Sequence, residues 1–161
     1  MALDDRDDPD RTAPLPAAAA WLGYGGLLPF AAGAAGAWLA SGFAQAAIGA
    51  ALLCYGGAIL SFLGGIHWGW GAQAGADRVA ARLGWSVLPS LWAAAAMTAG
   101  LLTGPRVGYG ALVAGLLLWR LLEAAVCPPG PVAPWYPRLR RHLTFGASAC
   151  LVLAALAPQS A

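Results

Sequence analysis

The sequence predicts an all-α membrane protein, a bundle of five transmembrane helices with its N-terminus in the cytoplasm and its C-terminus outside. Of the 161 residues, 60% are hydrophobic and only 10% are charged, whereas a soluble domain carries about 25% charged residues. Seven charged side chains lie within the first eleven residues, and most of the remaining chain is long apolar segments separated by short polar gaps. That alternation is typical of a multi-pass helical membrane protein.

The composition also bears on partners and cofactors. There is no lysine, the net charge is only +2, and no basic and aromatic stripe suggests a nucleic-acid partner. We expect the lipid bilayer and other membrane proteins, or a second copy of the chain, as partners. The three cysteines form no CxxC pattern, so we interpret them as free thiols and predict neither a metal site nor a cofactor.

Five apolar segments long enough to be candidate spans follow an acidic tail over residues 1–15 that we expect to be disordered. Residues 16–158 form one predicted domain, with spans at about 17–40, 44–70, 83–102, 107–126 and 143–157. Pro29 lies in the middle of the first span and Pro89 in the first half of the third. The segment "TGPR" predicts a tight turn before the fourth span. The fifth span follows a proline-rich loop and is short, about 22 Å at 1.5 Å per residue.

The distribution of arginine predicts the orientation. With the N-terminus inside, one outer segment carries a single arginine, Arg106, and the inner segments carry seven: Arg6, Arg11, Arg78, Arg82, Arg138, Arg140 and Arg141. Arginine accumulates on the cytoplasmic side of membrane proteins, so this bias favours an inside N-terminus and an outside C-terminus.

The fourth span must take charged residues into the membrane. Only twelve uncharged residues run from Val107 to Leu118, about 18 Å of helix, so the span must include Arg120 and Glu123. These two lie three residues apart on one helix face and can pair. An intramembrane ionisable group is a functional hypothesis by default. The alternative is that Arg120 extends to the head groups while Glu123 neutralises it.

A histidine occupies the inner end of the second span, in "SFLGGIHWGWG" (61–71). With the predicted topology, His67 and Ser90 lie near the same inner membrane surface as the charged pair of the fourth span. The candidate polar cluster therefore consists of His67, Ser90, Arg120 and Glu123. A purely structural role is equally open, in which His67 bonds to Ser90, to Glu123 or to a backbone carbonyl and holds the spans together.

Small residues recur along the second span at a spacing of four: Gly57, Ser61, Gly65 and Gly69. Such a stripe lets a neighbouring helix approach closely, so we predict helix packing there. A second row on another face, Gly56, Leu60, Gly64, His67 and Gly71, follows the same helical periodicity.

Four sequence blocks resemble a known family. They are "WLGYGGLLPF" (21–30), "YGGAILSFLGGIHWGWG" (55–71), "LPSLWA" (88–93) and "PWYPRLRRHLTF" (134–145). In this order they are similar to the family called domain of unknown function 3429, a multi-pass membrane family that includes transmembrane protein 69 of animals. The resemblance covers about Leu15 to the end. It implies a small helical integral membrane protein, bacterial or mitochondrial, and it brings no catalytic residues.

The function expected from these features is a structural, assembly or interaction component of a membrane complex in the bacterial inner membrane. Ser61 and Ser90 have no neighbouring base in the sequence, so we do not expect an enzyme. One alternative is a transporter or an ion- or proton-conducting subunit that uses the His/Arg/Glu cluster. A weaker alternative is a haem- or metal-binding protein with His67 and His142 as ligands.

Overall fold

A computed structural model describes residues 14–72, 76–125 and 133–158, and every regular element in these ranges is helical. The predicted all-α fold is thereby confirmed for the described ranges. The predicted acidic tail lies almost entirely outside them. The six helices are α1 (Ala17–Gly25), α2 (Leu28–Leu39), α3 (Gly42–Ala72), α4 (Ala76–Thr103), α5 (Pro105–Ala125) and α6 (Tyr136–Leu156).

The first predicted span is divided into two helices. α1 ends at Gly25, and α2 begins at Leu28 with Pro29 in its first turn. Proline is tolerated in a first turn because its missing N–H has no intrahelical partner there. Pro29 therefore starts a helix instead of interrupting one. None of the nine residues of α1 is buried.

One residue connects α4 to α5. Gly104 has φ 115°, a left-handed backbone conformation that glycine adopts readily. Just before this turn the two helices lie backbone to backbone, since a Cβ placed on Gly100 would lie 3.0 Å from the Cα of Gly108. The expected "TGPR" turn thus coincides with a very close helix contact.

α6 begins seven residues before the predicted fifth span, at Tyr136, with Pro137 in its first turn. Its 21 residues give a length of about 31 Å at 1.5 Å per residue. The helix therefore begins earlier than expected, inside the segment predicted to be a proline-rich loop. Arg138, Arg140 and Arg141 lie on the helix, because Pro137 is as suitable a helix start as it is a loop residue.

The helices form a closed ring around an apolar core. α3 packs against α2, α4 and α5, while α6 packs against α2 and α5 and more lightly against α1. The largest fully buried apolar side chains belong to four of these helices: Phe30, Leu60, Leu112, Leu116 and Leu151. Many large hydrophobic side chains also cover the outer surface, among them Trp21, Leu39 and Phe43.

Three helical segments within the described ranges are long and apolar enough to cross a membrane: Gly42–Trp70, Val79–Thr103 and Tyr136–Leu156. This criterion rests on length and composition alone. Together with the apolar outer surface, these three segments indicate a membrane protein.

Candidate functional site

Ionisable side chains meet at one end of the bundle, which we call the charged end and define by His67, Glu123 and Arg140. His67 lies near the carboxyl end of α3 and Glu123 near that of α5. The His67 Nε2 and Glu123 Oε1 atoms are 3.0 Å apart. The two residues are only 1% and 7% exposed, so this contact joins two helices away from solvent.

The third member comes from α6. Arg140, 6% exposed, donates from Nη2 to the same Glu123 oxygen over 3.4 Å. Its Nη1 donates to the Thr144 hydroxyl at 2.8 Å, and that hydroxyl donates to the Arg140 carbonyl oxygen at 2.9 Å. A guanidinium can only donate, so Oε1 accepts a hydrogen bond from Arg140, and the same oxygen accepts a hydrogen bond from the His67 Nε2–H. One carboxylate oxygen thus links α3, α5 and α6.

Aromatic rings enclose the histidine. The His67 ring meets Trp70 edge to face with centroids 4.9 Å apart, and it meets Trp119 in the same manner at 5.1 Å. Trp70 in turn contacts Tyr136 at 6.1 Å. Edge-to-face pairs of this kind are favourable. Because the rings also exclude water, they lower the local dielectric and strengthen the interaction between His67 and Glu123.

The expected pairing of Arg120 with Glu123 is wrong. Among the described residues no ion pair joins them, and the Arg120 Nε is buried without a hydrogen-bond partner. The two side chains share a helix face, but Arg before Glu is the less favourable order. Glu123 is directed instead at α3 and α6, where His67 and Arg140 supply its donors.

Ser90 makes no hydrogen bond to His67 or Glu123 within the described part of the chain. α4 approaches α3 through its backbone. A Cβ on Gly64 would collide with the carbonyl oxygen of Ser86 and lie 3.3 Å from the Pro89 ring. The contact of α4 with α3 near the histidine is therefore made by a carbonyl and a proline ring, and not by a serine hydroxyl.

The predicted glycine stripe is only partly a packing surface. A Cβ on Gly57 would overlap Met97, but a Cβ on Gly65 or Gly69 would meet nothing within 4 Å. The second row on α3 is the buried one, since Gly56 and Gly64 face neighbouring helices. The bundle closes on the face that carries Leu60 and His67, so helix packing at Gly65 and Gly69 stays a prediction.

Two important residues of the site were not identified from the sequence, Arg140 and Thr144. Both were assigned to the loop or to the start of the fifth span, so the arginine served only as a marker of orientation. The sequence does contain a signal for this face. Polar side chains recur every four residues from the first residue of α6: Tyr136, Arg140, Thr144 and Ser148. That spacing places all four on one helix face.

Several donors around the cluster are unsatisfied. Within the described residues, four buried polar atoms near this end have no hydrogen-bond partner: Trp119 Nε1, Arg120 Nε, Tyr136 Oη and Arg140 Nε. A buried donor without a partner costs about 1–3 kcal/mol. The site is therefore suited to an occupant that offers hydrogen-bond acceptors.

The two histidines occupy different surroundings. His142 Nδ1 lies 3.1 Å from the Tyr24 hydroxyl at an exposed position, whereas His67 is enclosed beside Glu123. In the part of the chain that the structure describes, no three His, Cys, Asp or Glu residues gather as metal ligands. Cys54 and Cys150 are free thiols, and Cys127 lies outside the described residues.

Comparison with curated proteins and with solved structures gives no match. Comparison with protein families gives one, over residues 15–156. The matched segment contains all six helices and every residue of the charged end. It also contains the four blocks that carried the resemblance, so that resemblance is confirmed. The chain belongs to the family described as "Protein of unknown function (DUF3429)".

Proposed function

We propose that this protein is a five-span, non-catalytic component of the bacterial inner membrane that assists the assembly or stability of a membrane complex. In this arrangement α1 and α2 together make the first span, and α3 to α6 make the other four. The N-terminus and the charged end face the cytoplasm. Arg138, Arg140 and Arg141 at the start of α6 support this orientation.

The observation that carries the proposal is the outward face of α3. A Cβ placed on Gly65 would meet nothing within 4 Å, so the helix backbone is open there, and Trp68 on the same face is 53% exposed. In a membrane, helices associate through small residues that allow close backbone approach. The rest of α3 already contacts α2, α4 and α5, so this face suits a helix of another subunit.

Photo-crosslinking in cells tests the assembly role. A benzophenone amino acid replaces Trp68 on the open face, and the control variant carries the same group at Phe145, an exposed aromatic position on α6. We expect a discrete crosslinked product from position 68 that Gly65→Leu removes. Equal products from both positions, or no product at 68, would contradict the proposal. A product of twice the chain mass would identify the partner as a second copy.

A proton- or ion-conducting role is the second candidate, favoured by the buried contact of His67 and Arg140 with Glu123. The apolar core beyond the charged end weighs against it, since Leu112 and Leu151 are fully buried there. Proton flux in proteoliposomes distinguishes the two. Flux that His67→Gln abolishes would favour conduction, and no flux above empty liposomes would favour the assembly role.

The orientation has its own test. A single cysteine replaces Thr103, an exposed residue at the end of α4, in a chain whose three native cysteines are changed to alanine. We expect a membrane-impermeant maleimide to label this cysteine in intact cells and not to label one at Gln73. Reversed labelling would contradict the inside N-terminus.

A further inference from the structure

A lateral cleft lies between α1, the start of α2, α3 and α6. It has a volume of about 210 Å³, several times the roughly 30 Å³ that one water molecule occupies. Apolar side chains make up most of its wall, including Leu27, Phe30, Ile66 and Leu116. A cleft of this character accommodates a hydrocarbon chain.

One edge of the cleft is polar. Tyr136, Arg140 and Thr144 line it at consecutive four-residue intervals along α6. The Tyr136 hydroxyl and the Arg140 Nε are both buried without a hydrogen-bond partner among the described residues. The Arg140 guanidinium lies close enough to the Tyr136 hydroxyl to act on it as a hydrogen-bond donor, but this contact does not reach full hydrogen-bond geometry.

The charge at this edge is unbalanced. Glu123 accepts from Arg140 over a long 3.4 Å contact, whereas no described carboxylate pairs with Arg120. Two guanidinium groups and one carboxylate leave an excess positive charge in a region of low dielectric, where an anion is favoured. Two further arginines, Arg138 and Arg141, belong to the same first turns of α6. They strengthen the attraction for negative head groups.

From these observations we propose that the cleft binds an acyl chain bearing an anionic head group, with the chain against Phe30 and Ile66 and the head group held by Arg140 and Tyr136. The carboxylate of a fatty acid and the phosphate of a phospholipid share this chemistry. Either group supplies acceptors for the two unsatisfied donors and offsets the positive charge.

The wall of the cleft that α1 forms is its least buried wall. α1 contributes Leu22 and Gly23 to the lining but buries none of its own residues. Its side-chain hydrogen bond to α6 is the exposed contact between Tyr24 and His142. We place the entry of the head group on this side of the cleft, past α1.

Native mass spectrometry of the full chain in a non-ionic detergent tests the proposal with four probes. Palmitate and dipalmitoyl phosphatidylglycerol carry anionic head groups, hexadecanol carries a neutral one, and dipalmitoyl phosphatidylcholine carries a zwitterionic one. We expect one molecule of at least one anionic probe to bind at least tenfold more tightly than hexadecanol and phosphatidylcholine. Binding of palmitate alone identifies a fatty acid, and binding of phosphatidylglycerol alone identifies a phospholipid.

Two variants that leave Arg140 in place locate the site. Tyr136→Phe removes one hydrogen bond to a charged group and should weaken binding about tenfold. Ile66→Trp fills the cleft and should abolish binding, whereas Val152→Trp, on the exposed surface of α6, should not change it. The proposal is overturned if neither anionic probe binds, if hexadecanol binds equally well, or if neither Tyr136→Phe nor Ile66→Trp reduces binding.

Discussion

The two ends of the bundle are held together by different kinds of polar contact. At the charged end, side chains bond to side chains. Glu123 accepts hydrogen bonds from His67 and Arg140, and all three residues are buried. At the opposite end, which we call the capping end and define by Trp38, Gln45 and Arg106, side chains donate to backbone carbonyls.

The side chains of Gln45 and Arg106 cap the carboxyl ends of two helices, α2 and α6. The Gln45 amide donates to the carbonyls of Ala37 and Pro158, each at 2.7 Å. Arg106 donates to the Ala157 carbonyl at 2.8 Å. The last carbonyls of a helix have no intrahelical donor, and a cation near them also interacts favourably with the helix dipole. These contacts are exposed or only partly buried.

The difference predicts unequal tolerance of mutation. Water or a lipid head group can replace a lost donor at an exposed helix end. Glu123 and Arg140 are both buried, so removing Glu123 leaves the Arg140 charge desolvated without its carboxylate partner. The charged end should therefore be sensitive to single substitutions, and the capping end should not.

The largest effect is expected from Glu123→Ala. Breaking a buried ion pair by removing one partner costs about 3–5 kcal/mol, because the remaining charge stays desolvated. The free energy of unfolding in detergent micelles, measured by denaturant titration, checks this. Gln45→Ala is the capping-end control and removes two hydrogen bonds; at a mean of about 0.6 kcal/mol for each bond between membrane helices, it should cost roughly 1.2 kcal/mol. Equal losses in the two variants would remove the distinction between the ends.

The close approach of α3 and α4 beside the charged end should be nearly as sensitive. Gly64→Leu forces a side chain against the Ser86 carbonyl, which is backbone and cannot rotate away. Overpacking of this kind costs about 1–3 kcal/mol or more. Gly65→Leu changes the neighbouring residue on the open face and should leave the thermal unfolding temperature in detergent nearly unchanged. A similar decrease of the unfolding temperature in both variants would mean that α3 is rotated differently about its axis.

The next largest effect is the coupling between His67 and Glu123 in the free energy of unfolding. Because the two side chains are in contact, the double variant His67→Ala/Glu123→Ala should be less destabilised than the sum of the single variants, by about 0.5–3 kcal/mol. The pair His67→Ala and Arg106→Ala spans both ends and should be additive within about 0.5 kcal/mol. Additivity in both cycles would exclude a direct contact between His67 and Glu123.

The smallest effect is expected from Arg106→Ala. Loss of a cation at a helix C-terminus costs about 0.3–1 kcal/mol at an exposed site, and head groups can solvate the freed carbonyl. Arg106→Lys should retain most of this stabilisation, since the charge remains close to the end of α6. A denaturant titration that ranks Arg106→Ala level with Glu123→Ala would contradict the proposed contrast.

Much of the helical framework could be predicted from hydropathy alone, because a spanning helix requires a long apolar run whatever its neighbours are. The division of the first span at Gly25 and the early start of α6 were not predicted. Both depend on a proline, Pro29 or Pro137, that can end one helix or begin another. Which of these occurs is decided by what the adjoining turn can pack against.

The sequence by itself determined the all-α fold, the family and the scarcity of ionisable groups that made His67 and Glu123 conspicuous. Composition suffices for these, since an apolar chain can satisfy its backbone in a membrane through helices. Only the tertiary structure decided that Glu123 meets Arg140 and not Arg120, and that Gly64 is covered while Gly65 is open. Those outcomes depend on the rotation of each helix about its axis, which is set by the packing of all neighbouring helices together.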